Sequence, residues 1–222
     1  MAGKPRRPSR SNEQRFNTIS QIMIITVASF KGGVGKSTTA FHLATYFQKL
    51  APTLLVDGDA NRSALDWGAR GEVPLKVVDE KQAVKFARKY EHIIIDTPAR
   101  PDEDELKMIA EGCDLLVLPT SPDALALGAT LKMVDALHDL DTSYRILLTI
   151  VPPKPNKAEI EARSAIVNSE LPIFESSIRR LAVFQKAALE GVPVHAVKDS
   201  YSAIAWQCYA DVAKEIVNDQ GE

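Results

Sequence analysis

Short apolar runs rich in β-branched residues alternate along the chain with segments of helical periodicity. Apolar runs bounded by turn residues predict buried strands at 21–29, 53–57, 92–96, 114–120 and 145–151, and shorter strands at 172–176 and 192–197. Helical spacing predicts helices over 36–50, 80–90, 102–112, 122–140, 156–170, 180–190 and 200–218. The polar stretch between 57 and 80 predicts a loop before the next helix. This alternation predicts an α/β fold, a mostly parallel twisted sheet with helices on both faces.

Polar residues suited to chemistry follow directly after three of the predicted strands. A glycine-rich loop follows the strand at 21–29, Asp57 and Asp59 lie at the end of the second strand, and Asp96 and Thr97 at the end of the third. Ligands of open parallel sheets bind at the carboxyl ends of the strands. We therefore expect these residues to form one ligand site.

The loop FKGGVGKSTT has the composition of a phosphate-binding turn between a strand and a helix. Its glycines allow backbone N–H groups to converge on a phosphate at the positive end of the helix. Lys36 would reach the β- and γ-phosphates, the Ser37 hydroxyl would bind Mg²⁺, and Thr38 is placed for the α-phosphate. Phe30 occupies the position of the first glycine in the full Walker A pattern. One nucleotide needs only Lys36, so Lys31 requires a separate role.

The segment KGGVGKST resembles the deviant Walker A loop of the ParA/MinD family of dimerising ATPases. The resemblance implies a P-loop NTPase fold, ATP and Mg²⁺ as cofactors, and an ATP-dependent homodimer with slow intrinsic hydrolysis. In this interpretation Lys31 crosses the dimer interface and contacts the phosphates of the partner subunit's nucleotide. The implied nucleotide-binding residues are Lys31, Gly32, Gly33, Val34, Gly35, Lys36, Ser37 and Thr38.

Two acidic segments extend the resemblance. The segment 54–67 resembles switch I, in which Asp59 orients the attacking water while Asp57 supports Mg²⁺ and the loop geometry. The segment 93–100 resembles Walker B and switch II, in which Asp96 binds Mg²⁺ through a water and Thr97 senses the γ-phosphate. The implied catalytic residues are Lys31, Lys36 and Asp59, and the implied metal-binding residues are Ser37, Asp57 and Asp96.

The sequence departs from the family pattern at several positions. Ala60 and Asn61 stand where Pro and Gln are usual in switch I, and Arg100 stands where Gly is frequent in switch II. Arg100 is either a surface arginine or a local phosphate contact. Further along, Pro152 and Pro153 follow a predicted strand, and we expect them to form an apolar wall against adenine.

Length and composition indicate one domain with an uneven charge distribution. The chain has 222 residues, of which 45% are hydrophobic and 25% charged, and a net charge of -2. Residues 1–15 contain five basic side chains against one acidic one. We expect a basic tail at 1–20, an ATPase domain at 21–218 and a short tail at 219–222. The basic tail is either a solubilising terminus or an additional phosphate contact.

The resemblance implies a ParA-type partition ATPase that binds DNA non-specifically. It would dimerise on ATP, associate with the nucleoid, and be released when a ParB-like or cargo-adaptor protein stimulates hydrolysis, thereby positioning a plasmid, a chromosome or a protein cargo. Non-specific binding requires only clustered basic side chains. The candidate DNA-binding residues are Arg179, Arg180, Lys186, Lys154, Lys157, Arg163 and Lys198.

Two other outputs of the same scaffold remain as alternatives. A MinD-like membrane ATPase would end in a basic amphipathic helix, whereas the charges after Lys214 are all acidic. A metal-cluster carrier would need cysteines shared across the dimer, for which Cys113 is the plausible position. No apolar stretch or signal segment directs the chain to a membrane, so we expect a cytoplasmic protein without membrane attachment.

Overall fold

The computed structural model describes residues 22–219, so the predicted tail at 1–20 lies outside the described residues, as do 21 and 220–222. Its strands are β1 (Met23–Ser29), β2 (Thr53–Asp57), β3 (Lys76–Asp79), β4 (His92–Ala99), β5 (Leu115–Thr120) and β6 (Tyr144–Leu148). Its helices are α1 (Lys36–Phe47), α2 (Ser63–Arg70), α3 (Glu80–Ala87), α4 (Glu103–Glu111), α5 (Ala124–Leu137), α6 (Lys157–Asn168), α7 (Val183–Glu190) and α8 (Ser202–Asp219).

All six strands are parallel and run in the order β3-β2-β4-β1-β5-β6. The predicted fold class is therefore confirmed. β1 lies between β4 and β5, and β2 pairs with β4, so the ends of β1, β2 and β4 are neighbours. This order brings the glycine loop after β1, Asp57 at the end of β2 and Asp96 within β4 to the carboxyl-terminal side of the sheet.

The prediction of a loop between 57 and 80 is wrong, because that segment contains α2 and β3. Helix α2 has eight residues and buries only Ala64 and Trp67, so its apolar signal is too short to stand out. Strand β3 is a four-residue edge strand, in which only Val78 is buried. An edge position explains its polar sequence, since one side of the strand and much of its face are left to water.

The two short strands predicted near the carboxyl end are also wrong. The segment 172–176 makes one parallel bridge to β6, at Ile173, and forms no strand. The segment 192–197 forms a 3₁₀ turn at Val194–Ala196. Both segments contain a proline, Pro172 or Pro193, which cannot donate a ladder hydrogen bond.

Helix α1 follows the glycine loop and is largely buried. Nine of its twelve residues are buried, and it packs between the sheet and α8 in a core that includes Phe41, Phe47 and Tyr209. Its buried His42 stacks on Tyr209 with ring centroids 4.8 Å apart. The His42 Nε2 accepts the backbone N–H of Val194 at 3.2 Å, while Nδ1 lies 2.7 Å from the Thr38 carbonyl oxygen. The start of α1 is therefore anchored from its buried side.

The opposite face of the sheet is covered by α4, α5 and α6 over β5 and β6, and by α3 over β2. None of the helices within residues 22–219 is long and apolar enough to cross a bilayer.

Candidate nucleotide-binding site

The loop between β1 and α1 has the backbone of an anion-binding turn. Gly33 and Gly35 adopt left-handed φ values of 79° and 88°, which glycine reaches without the cost that a Cβ imposes. Gly35 is the N-cap of α1, and no side chain caps the helix there. A Cβ added at Gly32, Gly33 or Gly35 would meet no atom within 4 Å. The uncapped N–H groups and the open space beside the glycines leave room for a phosphate.

A cavity of about 520 Å³ opens over this loop and extends to α2. Its size lies within the range of small-molecule sites, roughly 300–1,000 Å³. The predicted residues that line it are Gly32, Gly33, Gly35, Lys36, Ser37, Thr38 and Asp59. Asn61, Ser63, Asp66, Trp67, Arg70, Ala99 and Ala188 complete the lining. The α2 residues were missed because the helix that carries them was not predicted.

Asp57 shapes the segment that carries Asp59. Its Oδ1 accepts the backbone N–H of Asp59 at 3.0 Å, and its Oδ2 accepts that of Leu65, at the start of α2, at 2.9 Å. Asp59 in turn accepts the backbone N–H and the side-chain amide of Asn61, at 2.9 and 3.0 Å. These contacts support the predicted role of Asp57 in loop geometry, and its contact with Mg²⁺ stays a prediction.

Asp96 is a buried carboxyl group whose ionised form is disfavoured. It lies beside Asp57 in the register of β4 and β2, is 0% exposed, and neither of its oxygens makes a hydrogen bond of normal geometry within the described residues. Burial raises its pKa to about 7; Asp57 and Asp59 add to the shift, whereas the nearby Ser37 hydroxyl and Lys36 ammonium oppose it.

This environment fits a divalent cation at Asp96. A buried carboxylate without a partner is costly, and Mg²⁺ is commonly held by one or two carboxylates together with phosphate oxygens and water. Asp96 and the Ser37 hydroxyl would hold Mg²⁺, which would supply positive charge between the phosphates of a bound nucleotide.

A second cavity, of about 350 Å³, lies on the other side of the loop, next to Thr38. It is lined by apolar side chains including Ile150, Ile178 and Phe184, which suits a base or a ribose. Thr149 joins this cavity to the loop, because its hydroxyl donates to the Val34 carbonyl oxygen at 2.7 Å. Pro152 and Pro153 are not among the lining residues, so their contact with adenine stays a prediction.

The loop, the strand order and the carboxylate positions agree with a comparison against known families. A family model described as the CobQ/CobB/MinD/ParA nucleotide-binding domain matches residues 25–194, from β1 to the 3₁₀ turn. The chain belongs to this family. The resemblance to ParA/MinD proteins is thereby confirmed.

Curated relatives include a carboxysome-distribution protein and a ParA protein. The chain is 33% identical over 204 residues to "Maintenance of carboxysome distribution protein A" of Gloeobacter kilaueensis, covering 88% of this chain and 94% of that protein. It is 27% identical over 199 residues to "Protein ParA" of Rhizobium radiobacter, covering 82% and 89%.

Solved structures of family members share the fold. An ATP complex of a Cyanothece McdA variant has a TM-score of 0.72 and 16% identity, over 89% of this chain and 97% of that chain. The septum site-determining protein MinD from Pyrococcus horikoshii, complexed with Mg-ADP, has a TM-score of 0.65 and 22% identity, over 87% and 95%. These matches confirm the predicted P-loop NTPase architecture.

The two lysines of the family's loop lie in different places. Lys36 is 7% exposed and lines the first cavity, over the glycine loop, which we call the phosphate cavity. Lys31 is not among the residues that line this cavity, and its Nζ lies 3.0 Å from Oδ1 of Asp123, just before α5. Of the two lysines, only Lys36 therefore lines the cavity in which this chain would bind a nucleotide.

Thr97 also faces away from the phosphate cavity. Its hydroxyl donates to the Val27 carbonyl oxygen at 3.0 Å, and the residue lines a separate groove between α3 and α4. Ala99, further along β4, lines the phosphate cavity instead. The γ-phosphate contact of Thr97 stays a prediction.

The candidate DNA-binding residues do not share one environment. Arg179 and Arg180 line the second cavity beside the loop. Lys186 pairs with Asp199 and Lys157 with Glu161, whereas Lys154 is exposed. Arg163 donates to the Phe174 carbonyl oxygen at 2.7 Å and pairs with Glu159, and Lys198 is exposed. Contact of these residues with DNA stays a prediction.

Cys113 packs among apolar residues between α4 and β5. Burial raises the pKa of its thiol to about 11, which disfavours the thiolate that binds metals. Within residues 22–219 no group of three or more His, Cys, Asp or Glu side chains is arranged to hold a metal ion.

Proposed function

We propose that this protein is an ATP-dependent positioning ATPase that works as a nucleotide-sandwich dimer. ATP with Mg²⁺ occupies the loop, two subunits associate across it, and slow hydrolysis releases them. The observation that carries the proposal is the position of Lys31, which lies outside its own chain's phosphate cavity on a loop otherwise complete for nucleotide binding. A lysine in that position can serve the nucleotide of a second subunit.

Each residue of the site has a role in this proposal. Lys36 and the N–H groups of the loop neutralise the phosphates, and Ser37 with Asp96 holds Mg²⁺. Asp59, which lines the cavity and is held by Asn61, orients the attacking water. Lys31 of the second subunit adds positive charge where the transferred phosphoryl group develops negative charge, which is the main way that proteins accelerate this reaction.

We propose that the ATP-bound dimer binds DNA non-specifically and associates with the nucleoid. Arg179 and Arg180 line the second cavity, and a dimer presents two copies of them. A basic patch that binds DNA too weakly in one subunit therefore gains avidity in the dimer. An adaptor protein bound to the cargo would stimulate hydrolysis and end DNA binding.

The identity to carboxysome-distribution proteins supports a protein assembly as the cargo. One such protein is 33% identical to this chain, and the 27% identity to ParA keeps a plasmid as the second candidate cargo.

The proposal is tested by sedimentation of the full chain without nucleotide, with ADP and with ATP, each with Mg²⁺. We expect a monomer in the first two states and a dimer with ATP. Lys36→Ala should lose both ATP binding and the dimer, whereas Lys31→Ala should still bind ATP but stay monomeric. ATP binding lost equally in both variants would contradict the assignment of Lys31 to a second subunit.

A further inference from the structure

Lys31 is held within its own chain by a carboxylate that is itself fixed in place. Oδ1 of Asp123 lies 3.0 Å from Lys31 Nζ and also accepts the backbone N–H of Ala126 at 3.0 Å, as the N-cap of α5. Its Oδ2 accepts the Ser121 hydroxyl at 2.5 Å. Three hydrogen bonds, chiefly that from Ser121, lower the pKa of Asp123 to about 2, so the carboxylate stays charged at neutral pH.

This ion pair links two segments that are 92 residues apart in the sequence. Lys31 is 31% exposed in this arrangement, and Asp123 is 50% exposed. The loop backbone is tied to β1, because the Lys31 N–H donates to the Ser29 hydroxyl at 3.1 Å, and the lysine has a single positive charge to offer to Asp123 and to any other anion. The pair therefore competes with any phosphate that Lys31 could contact in a second subunit.

We infer that Asp123 is a positioning residue for Lys31, which holds it in the monomer and opposes dimerisation until a nucleoside triphosphate of the second subunit replaces the carboxylate. The inference rests on the proposed function. A triphosphate offers more negative charge than one carboxylate, whereas a diphosphate lacks the terminal group. Asp123 thus raises the dissociation constant of the ATP-bound dimer.

The size of the effect follows from the exposure of the pair. Ion pairs exposed to this extent contribute about 0.2–1 kcal/mol, which corresponds to a change of up to about five-fold in an equilibrium constant. Screening by salt reduces the effect. Asp123 is therefore expected to adjust the dimer equilibrium and not to abolish it.

The test is Asp123→Asn in the full chain, because Asn is as good an N-cap as Asp and removes the negative charge. With a non-hydrolysable ATP analogue and Mg²⁺, we expect the dimer dissociation constant to fall about two- to five-fold at low salt, with the difference shrinking at high salt. With ADP, the variant and the wild type should both stay monomeric, because the diphosphate lacks the terminal group that would replace the carboxylate. Asp102→Asn is the matched control, because Asp102 caps α4 with the same chemistry away from Lys31.

A second readout does not depend on the dimer. In nucleotide-free protein, we expect amine-reactive labelling of Lys31 to be faster in Asp123→Asn than in the wild type and in Asp102→Asn. Unchanged labelling overturns the intramolecular pair. An unchanged or weaker dimer, with the wild type still dimerising on the analogue, overturns the role of Asp123 and leaves the proposed function standing. If neither the wild type nor Asp123→Asn dimerises on the analogue, the proposed dimer is overturned, and so is the role of Asp123 in opposing it.

Discussion

The carboxyl groups of Asp57, Asp59 and Asp96 make different contacts, so we expect them to have different roles. Asp57 gives both oxygens to backbone N–H groups, Asp59 lines the cavity, and Asp96 is buried without a normal hydrogen bond among the described residues. Substitutions at Asp59 and Asp96 should therefore have different consequences.

Asp59→Ala should keep ATP binding and lose most hydrolysis, because in the proposed mechanism the residue acts on the attacking water and not on the phosphates. We expect turnover to fall at least about ten-fold, as is usual when a water-orienting group is removed, and the ATP-bound dimer to accumulate. Phosphate release and sedimentation measure the two effects. Asp66→Ala is the control, since Asp66 lines the same cavity but pairs with Arg70 on α2. Normal turnover in Asp59→Ala would contradict the assigned role.

Asp96→Asn should separate stability from Mg²⁺ binding. It replaces a buried carboxyl group that lacks a hydrogen bond of normal geometry among the described residues with a neutral amide, so the nucleotide-free variant should unfold at a temperature no lower than that of the wild type. The thermal stabilisation that the wild type gains from ATP with Mg²⁺ should be lost, because Mg²⁺ has no carboxylate at this position. Thermal unfolding with and without ATP and Mg²⁺ measures both. A variant that is destabilised without nucleotide yet fully stabilised by ATP with Mg²⁺ would exclude Asp96 as a magnesium ligand.

Among the helices and strands, α1 connects the phosphate loop to the core through a buried neutral histidine. Burial lowers the pKa of His42 to about 4. Between pH 6.5 and 4 the unfolded chain binds a proton that the native protein does not, so stability falls as the pH falls through this window. Because of His42, the free energy of unfolding decreases by about 2 kcal/mol as the pH falls from about 7 to about 5.

His42→Gln should therefore be less stable than the wild type at about pH 7, because the stack on Tyr209 is lost, and should lose less further stability at about pH 5. Urea unfolding at the two pH values gives both free energies. His138→Gln is the matched control, since His138 is exposed at the end of α5. An equal pH dependence in His42→Gln and the wild type would contradict the neutral buried histidine.

The long buried strands and the loop could be predicted from the sequence, because apolar runs and glycine spacing are local signals. Parallel strand order then placed Asp57, Asp59 and Asp96 together without knowledge of any contact. Helix α2 was missed because it buries only two residues, and Trp67 and Arg70 were missed with it. The pair between Lys31 and Asp123 could not be predicted, since it depends on the packing of β1 beside β5 and no sequence pattern joins the two positions.

The molecule as a whole is expected to act as a switch whose output is binding to DNA. Three of the basic candidates, Lys157, Arg163 and Lys186, are paired with acids, so we expect one subunit to bind DNA weakly. Dimerisation on ATP is therefore the step that should create DNA affinity, and the nucleotide state should control it.

The most direct measurement is binding of the full chain to a DNA of arbitrary sequence at one fixed salt concentration, without nucleotide, with ADP and with ATP. We predict binding with ATP only, and its loss in Lys31→Ala. Binding of equal strength in all three states would contradict the switch, as would ATP-dependent dimers that leave DNA unbound.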